Sequence, residues 1–377
     1  MQNQTTRLQE LINSLAEPFV GRREEALLLV MGVITKEHVL LIGEPGTGKS
    51  ALARRLASLI DAKYFKYLLT KFTEPSELLG PIDINALKEG RYKRITRGKL
   101  PEAEIAFLDE IFNANSAVLN SLLSVMQERI VYDGYGEIKT NLWTIIGASN
   151  TTPTEPELEA LYDRFLYRHI VNPLDSEYWD TLLDKAWLIE KNGYTSPTPL
   201  INIKELEEYS KKIYDINIQP IKSKLIKLYL ALEEKGLHIT DRRKGKILKA
   251  IAAHALIHGR RNAAMDDLYV LKYTVPRDPE EFEKIKIILF EELKTSDRVL
   301  REFEDLQASL ETMATEINKL QSFDPRLIDY YRTLKSLKEK VKALASDIED
   351  DKVITSATEL LEEIDNLINL VMMKLNM

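Results

Sequence analysis

The chain has 377 residues, 44% hydrophobic and 29% charged, with a formal net charge of −7 and no cysteine. That length exceeds one compact core, so two or three domains are expected. The lack of cysteine excludes disulfides, thiolate metal sites and cysteine nucleophiles, and is consistent with a reducing, cytoplasmic setting.

The opening stretch "MQNQTTRLQELINSL" reads as an amphipathic helix and not as a secretory leader. "ALLLVMGVI" at 26–34 is apolar but too short to cross a bilayer, so no membrane insertion is expected. From about 38 to 172, short apolar runs alternate with helical patterns. "HVLLIG", "YFKYLLT", "EIAFLDE" and "LWTIIGASN" are continuous runs bounded by turn residues, as strands buried on both faces are. They predict a parallel sheet under helices. Between the last two, "QERIVYDGYGEIKTN" predicts a hairpin with Asp133, Gly134 and Gly136 at its tip.

A looser segment, "KNGYTSPTPL" at 191–200, lies in a region that turns wholly helical, as in "IQPIKSKLIKLYLALEEK" and "GKILKAIAAHALIHG". After Pro276 and Pro279 a heptad rhythm begins. Phe303, Leu306, Leu310, Met313, Ile317 and Leu320 step by three and four. Leu334, Leu337, Val341, Leu344 and Ile348 repeat the rhythm, and Ile364, Leu367, Val371 and Lys374 continue it more weakly. This spacing predicts two or three helices packed as a coiled-coil-like hairpin or bundle. Residues 276–377 hold 15 Lys and Arg against 23 Asp and Glu, a balance of −8, which leaves the rest of the chain at +1. No half is basic, which weighs against a dedicated binder of nucleic-acid backbone.

The stretch "GEPGTGKS" at 43–50 fits G-x-x-x-x-G-K-[ST], with Gly43, Gly48, Lys49 and Ser50 at the fixed places. Between them stand Glu44, Pro45, Gly46 and Thr47, and Ala51 follows. Glycines let backbone N–H groups wrap a phosphate, and the helix "KSALARRLASLI" points its positive end at the same anion. Lys49 suits the β- and γ-phosphates, and the Ser50 hydroxyl suits Mg²⁺. By residue usage alone the four fixed positions arise in about one chain in a hundred of this length. A hydrolytic site also needs a metal carboxylate and a means to aim water. "IAFLDE" ends a buried strand with both: Asp109 for the Mg²⁺ shell and Glu110 to polarise water. "TIIGASN" ends another with Asn150, which neighbouring strands place beside Glu110.

Gly43–Ser50, Asp109-Glu110 and Asn150, in that order, resemble an AAA+ ATPase. The stretch "EGRYKRITRGKLPEAEIAFLDEIFNANSAVLNSLLSVMQERIVYDG", with "LEALYDRFLYR" at 158–168 and "ITDRRKGKILKAIAAHALIHGRRNAAMDDLYVLKY" at 239–273, looks like the MoxR branch and its RavA subgroup. The resemblance covers roughly residues 5–275. It does not extend to the tail, where a RavA-type protein would interrupt its helices with a small β module. The resemblance implies an α/β nucleotide-binding domain over 1–175 and makes the helical region over 176–275 its lid, while the heptad spacing alone predicts a C-terminal helical hairpin or bundle over 276–377. It further implies ATP and ADP binding, Mg²⁺, a hexameric ring, and partners with von Willebrand factor A domains. Arg164 matches the arginine-finger region, with Arg168 as a second candidate. Arg242 matches the lid's sensor arginine, with Arg243 as its alternative. Val20-Gly21-Arg22 resembles the lining of an adenine pocket.

Two features have bland readings. His254 and His258 share one helix face, but no third metal ligand is apparent in the sequence, and they read as a structural pair. "RYKRITRGK" at 91–99, with Tyr92, is basic, and the resemblance makes it a structural strand and loop. The leading expectation is a ring-forming ATPase that remodels protein partners. The alternatives are a nucleic-acid motor and a nucleotide-gated scaffold that hydrolyses slowly.

Overall fold

Five strands form one parallel sheet in the computed structural model, which describes residues 2–133, 136–153, 155–192, 197–293, 296–345 and 351–375. They are β1 (His38–Ile42), β2 (Tyr64–Leu68), β3 (Ile105–Asp109), β6 (Thr144–Ser149) and β7 (Phe165–Ile170), in the order β2-β3-β6-β1-β7. β4 (Ile130–Asp133) and β5 (Gly136–Lys139) pair separately as an antiparallel hairpin. The hairpin's expected tip at Gly134 lies outside the described residues. Central β1 and β6 are buried along their whole length, because helices cover both faces, and this is why their sequences do not alternate. β2, at the sheet edge, has only Phe65 buried and exposes Lys66 and Leu68.

β7 was not among the expected strands. Phe165, Leu166 and Tyr167 are fully buried, but Arg168 and His169 interrupt the apolar run that would have announced it. It pairs in parallel with β1, with Phe165 opposite His38 and Ile170 opposite Ile42. Its start therefore lies at the edge of the sheet where β1 begins, and its end lies beside the phosphate-loop motif.

The helices after β7 include Trp179–Asn192, Ile203–Lys212, Gln219–Glu234 and Asp241–Ile257. The last is fixed to the sheet by arginine. Arg243 is 7% exposed. Its guanidinium donates to the carbonyls of Phe165 at 3.0 Å, Leu166 at 2.9 Å and Thr274, and pairs with Asp163 at 3.2 Å. Arg168 is 1% exposed. It donates to the Pro276 carbonyl at 2.7 Å and the Tyr162 carbonyl at 3.0 Å, and lies 4.0 Å from the centre of the Tyr162 ring. Burial, with Arg243 beside it, pushes its guanidinium down to about 9. Arg168, the second finger candidate, and Arg243, the alternative sensor, are thus both turned inward as struts. Both donate chiefly to main-chain carbonyls of the fold.

Contacts divide the chain into two units, 1–285 and 286–377. The first runs ten residues beyond the expected boundary at 275, since Phe282 joins the apolar cluster that also holds Leu108, Ile145 and Phe165. In the second unit, helices Ser296–Lys319, Arg326–Ala345 and Asp351–Leu375 share one core. The heptad residues Phe303, Leu310, Ile317, Leu334, Val341, Ile364 and Val371 are buried in it, while Ile348 lies outside the described residues. Lys374 is not packing surface: its ammonium caps the carbonyls of Ile317, Asn318 and Leu320 at the end of the first of these helices.

Two substitutions test these supports. Arg243→Ala leaves three buried carbonyls and Asp163 short of a donor, and is expected to cost about 3–5 kcal/mol, read as a lower urea midpoint. An unchanged midpoint would show that the strut is dispensable. Leu334→Ala removes a side chain with no solvent exposure, and should destabilise the helical bundle by about 2–5 kcal/mol in the same measurement.

Candidate functional site

The phosphate-loop motif begins where β1 ends, between two neighbouring strands. The Gly43 N–H donates to the Ser149 carbonyl at 2.9 Å, and the Val171 N–H donates to the Ile42 carbonyl at 2.7 Å. A side chain at Gly43 would place its Cβ 2.3 Å from the Val171 carbonyl oxygen, so glycine is required there by close approach. Gly46 and Gly48 adopt φ of +85° and +88°. Gly48 is the N-cap of helix Lys49–Leu59, which carries Ser50 and Ala51 in its first turn. The Lys49 ammonium donates to the carbonyls of Gly43 at 2.7 Å and Glu44 at 2.8 Å, and the Thr47 hydroxyl donates to Glu44 at 3.0 Å. Burial pushes the Lys49 ammonium below the ordinary lysine range, while the Asp109 and Glu110 carboxylates pull it up. The loop thus combines unprotected backbone, a helix start and one cation facing two carboxylates.

Those carboxylates sit on the same edge of the sheet. β6 lies between β1 and β3, so the ends of β1 and β3 are two strand spacings apart, about 10 Å. Asn150, just past β6, spans part of that gap: its amide donates to Glu110 at 2.9 Å. The Glu110 backbone is left-handed at φ +51° and ψ 48°, which turns the chain sharply at the end of β3. Its N–H donates to one Asp109 carboxylate oxygen at 3.2 Å. A hydroxyl and a carboxylate are hard oxygen donors, the type that Mg²⁺ takes alongside waters and phosphate oxygens, so Ser50 and Asp109 fit that ion chemically.

Next to the loop lies a trough of about 490 Å³. Glu44–Gly48 form one wall, Phe19, Val20 and Arg22 another, and Leu174, Trp179 and Leu182 a third. Gly21 turns at φ +66° behind Val20, where a Cβ would stand 2.7 Å from Leu174. Arg22 is buried and paired with Glu25 at 3.1 Å. The expected Val20–Arg22 segment therefore does adjoin the loop. The contribution of helix Trp179–Asn192 was missed, although "WDTLLDKAW" steps its apolar residues by three and four.

Arg164 and Arg242 lie elsewhere. Arg164 directly precedes β7, whose start is opposite His38. Five residues of β1, about 16 Å of strand, separate that rim from Gly43. The Arg164 guanidinium donates to Gln127 at 2.6 Å, and its Nε is buried with no hydrogen-bond partner. Burial, with the Arg242 charge next in effect, holds it below the ordinary arginine range. Arg242 is exposed and next to strut Arg243, so the two cations share a rim remote from their own phosphate loop.

His254, His258 and Asp267 bring ligand atoms within 4.8 Å of one another. The Asp267 carboxylate already accepts from Arg260, from the His254 ring at 2.6 Å and from the Ala264 N–H at 2.8 Å. Asp267 is fully buried, and the cluster holds the turn after helix Asp241–Ile257 in place. The basic stretch 91–99 is also used locally: Arg94 donates to the Gly80 carbonyl and Lys99 to that of Glu77, both at 2.9 Å. Among the described residues, no helix is long and apolar enough to cross a membrane.

Comparison with known proteins agrees with this geometry. Residues 6–211 match the family profile described as the MoxR domain in MoxR-vWA-beta-propeller ternary systems, and residues 216–289 match an AAA lid domain. An uncharacterized protein of Methanocaldococcus jannaschii is 36% identical over 348 residues, 92% of this chain and 91% of that one. Chaperone MoxR1 of Mycobacterium tuberculosis is 27% identical over 165 residues, 43% of each chain. A solved structure from Cytophaga hutchinsonii, described provisionally as an ATPase, superposes with a TM-score of 0.65 at 21% identity. It covers 76% of this chain and 94% of that one, and so shares the fold. With the phosphate loop, the acidic strand end and the lid in sequence, the chain belongs to the MoxR family of AAA+ ATPases.

Proposed function

We propose that this protein is a ring-forming ATPase that couples ATP hydrolysis to the remodelling of protein partners. The observation that carries the reading is the 2.9 Å contact between Asn150 and Glu110 on the edge that holds the phosphate loop. It holds one carboxylate oxygen of Glu110, and the Asn113 amide lies 3.5 Å from the other. In this reading the amides of 43–50 and the Lys49 ammonium grip the phosphates. Ser50 and Asp109 would hold Mg²⁺, which neutralises charge on the phosphate oxygens when bound. Glu110 polarises the attacking water, and Asn150 keeps it oriented.

The arginines favour a ring. Arg164 and Arg242 sit at the rim opposite their own phosphate loop, so in this reading each would serve a neighbouring subunit's site. There they would stabilise the charge that develops on the transferred phosphoryl group, worth about 10³-fold or more in rate. The reading of the lid changes accordingly. Held by Arg243 on β7, the lid helix carries Arg242 toward a neighbour and does not fold over its own nucleotide. A partner with a von Willebrand factor A domain is favoured by the systems after which the matching family profile is named.

Glu110→Gln should bind ATP like the parent and lose about 10²–10⁴-fold in turnover, whereas Lys49→Ala should lose binding by calorimetry. Equal phosphate release by Glu110→Gln and the parent would remove Glu110 from the base role. Arg164→Ala should bind ATP without turnover, and mixing it with Lys49→Ala subunits should restore part of the activity. No recovery in mixed rings, with mixing verified by mass, would defeat the neighbouring-subunit role. Stimulation by DNA with a steep salt dependence would favour a nucleic-acid motor instead.

A further inference from the structure

The trough beside the phosphate loop has a mixed lining. Glu44–Gly48 of the loop form one part of it. The rest is mostly apolar, with Phe19, Val20, Leu174, Trp179 and Leu182, and includes the charged side chains Arg22 and Lys185. A ligand that reaches from the loop across this surface would join phosphates to a flat apolar body, which is the build of a nucleotide.

Trp179 is the largest apolar group of this lining. It is 57% exposed, and Leu182, one helical step on, is 39% exposed. The indole is nonetheless oriented, because its N–H donates to the Leu174 carbonyl at 3.1 Å. That bond ties the start of helix Trp179–Asn192 to the segment after β7. Farther along, the Lys185 ammonium donates to the Glu17 carbonyl, which ties the same helix to the residues before Phe19. The indole is therefore a fixed surface held at both ends of its mount, exposed toward the trough that it lines. With its N–H engaged by main chain, it offers a π-face to a ligand and no spare donor.

We propose that Trp179 is the platform on which the nucleotide base stacks, so that helix Trp179–Asn192 supplies the base-binding wall of the site. The proposal rests on the reading of residues 43–50 as the phosphate grip. Stacking alone is tolerant of base identity, since every base has a π-face. The platform raises affinity for nucleosides over bare phosphate and adds little to the choice between purines.

The test compares ATP with inorganic tripolyphosphate, each with Mg²⁺, by calorimetry on the full chain. Trp179→Ala should weaken ATP and ADP about ten- to a hundred-fold, the range that base–aromatic stacking supplies, and leave tripolyphosphate unchanged. Trp179→Phe should recover most of the loss, and Trp187→Ala, at a 73% exposed position outside the trough, should match the parent for both ligands. Unchanged ATP affinity in Trp179→Ala would overturn the proposal. Equal loss for ATP and tripolyphosphate would also overturn it, by showing a structural role. If the parent bound neither ligand, the phosphate grip itself would fail and the platform with it.

Discussion

The parallel ladder is the constraint on which the rest of this structure depends. Because β1, β3, β6 and β7 run the same way, their carboxyl ends share one edge, and whatever follows each strand meets there. Gly43 follows β1, Glu110 follows β3 and Asn150 follows β6. Residues more than a hundred positions apart are thereby assembled without any loop having to reach. The same register places the beginning of β7, and Arg164 with it, at the opposite edge. One ladder thus puts the loop, the carboxylates and Asn150 on one edge of the sheet and Arg164 on the other.

Much of that edge was legible beforehand. A motif with four fixed positions, placed between an apolar run and a helix, leaves little freedom, and the runs ending in Asp109-Glu110 and Asn150 carried their polar residues where sheet ends must carry them. The failures share a physical cause, which is that burial of a charged group leaves no trace in a linear pattern. Arg168 interrupts β7 and so hid the strand, yet it is among the most buried side chains of the chain. Arg242 and Arg243 are adjacent and chemically identical; only the rotation of their helix sends one to solvent and the other into the interior. Trp179 was passed over for a related reason. An amphipathic helix announces an apolar face but not what the face borders.

Sorting these four arginines by environment clarifies the site. Arg168 and Arg243 are surrounded by carbonyl acceptors, so their charge is compensated within the fold. Arg164 is half-buried and donates to Gln127, and Arg242 stands beside it in solvent. A pair of like charges at one rim is unfavourable by itself and favourable only toward an anion. That contrast separates two arginines engaged inside the fold from two that stand at its surface.

The struts have a consequence for how this architecture tolerates evolutionary drift. Most acceptors of Arg168 and Arg243 are main-chain oxygens, at Tyr162, Phe165, Leu166, Thr274 and Pro276. Every amino acid carries such an oxygen, so at Phe165, Leu166, Thr274 and Pro276 the side chain can change, within the limits of packing, without unfastening the helix, whereas the Tyr162 ring also faces the Arg168 guanidinium. The guanidinium side has no such latitude, because lysine offers a single point of charge where a planar fork is needed. Divergent sequences can therefore keep the same anchorage while sharing little more of it than two letters.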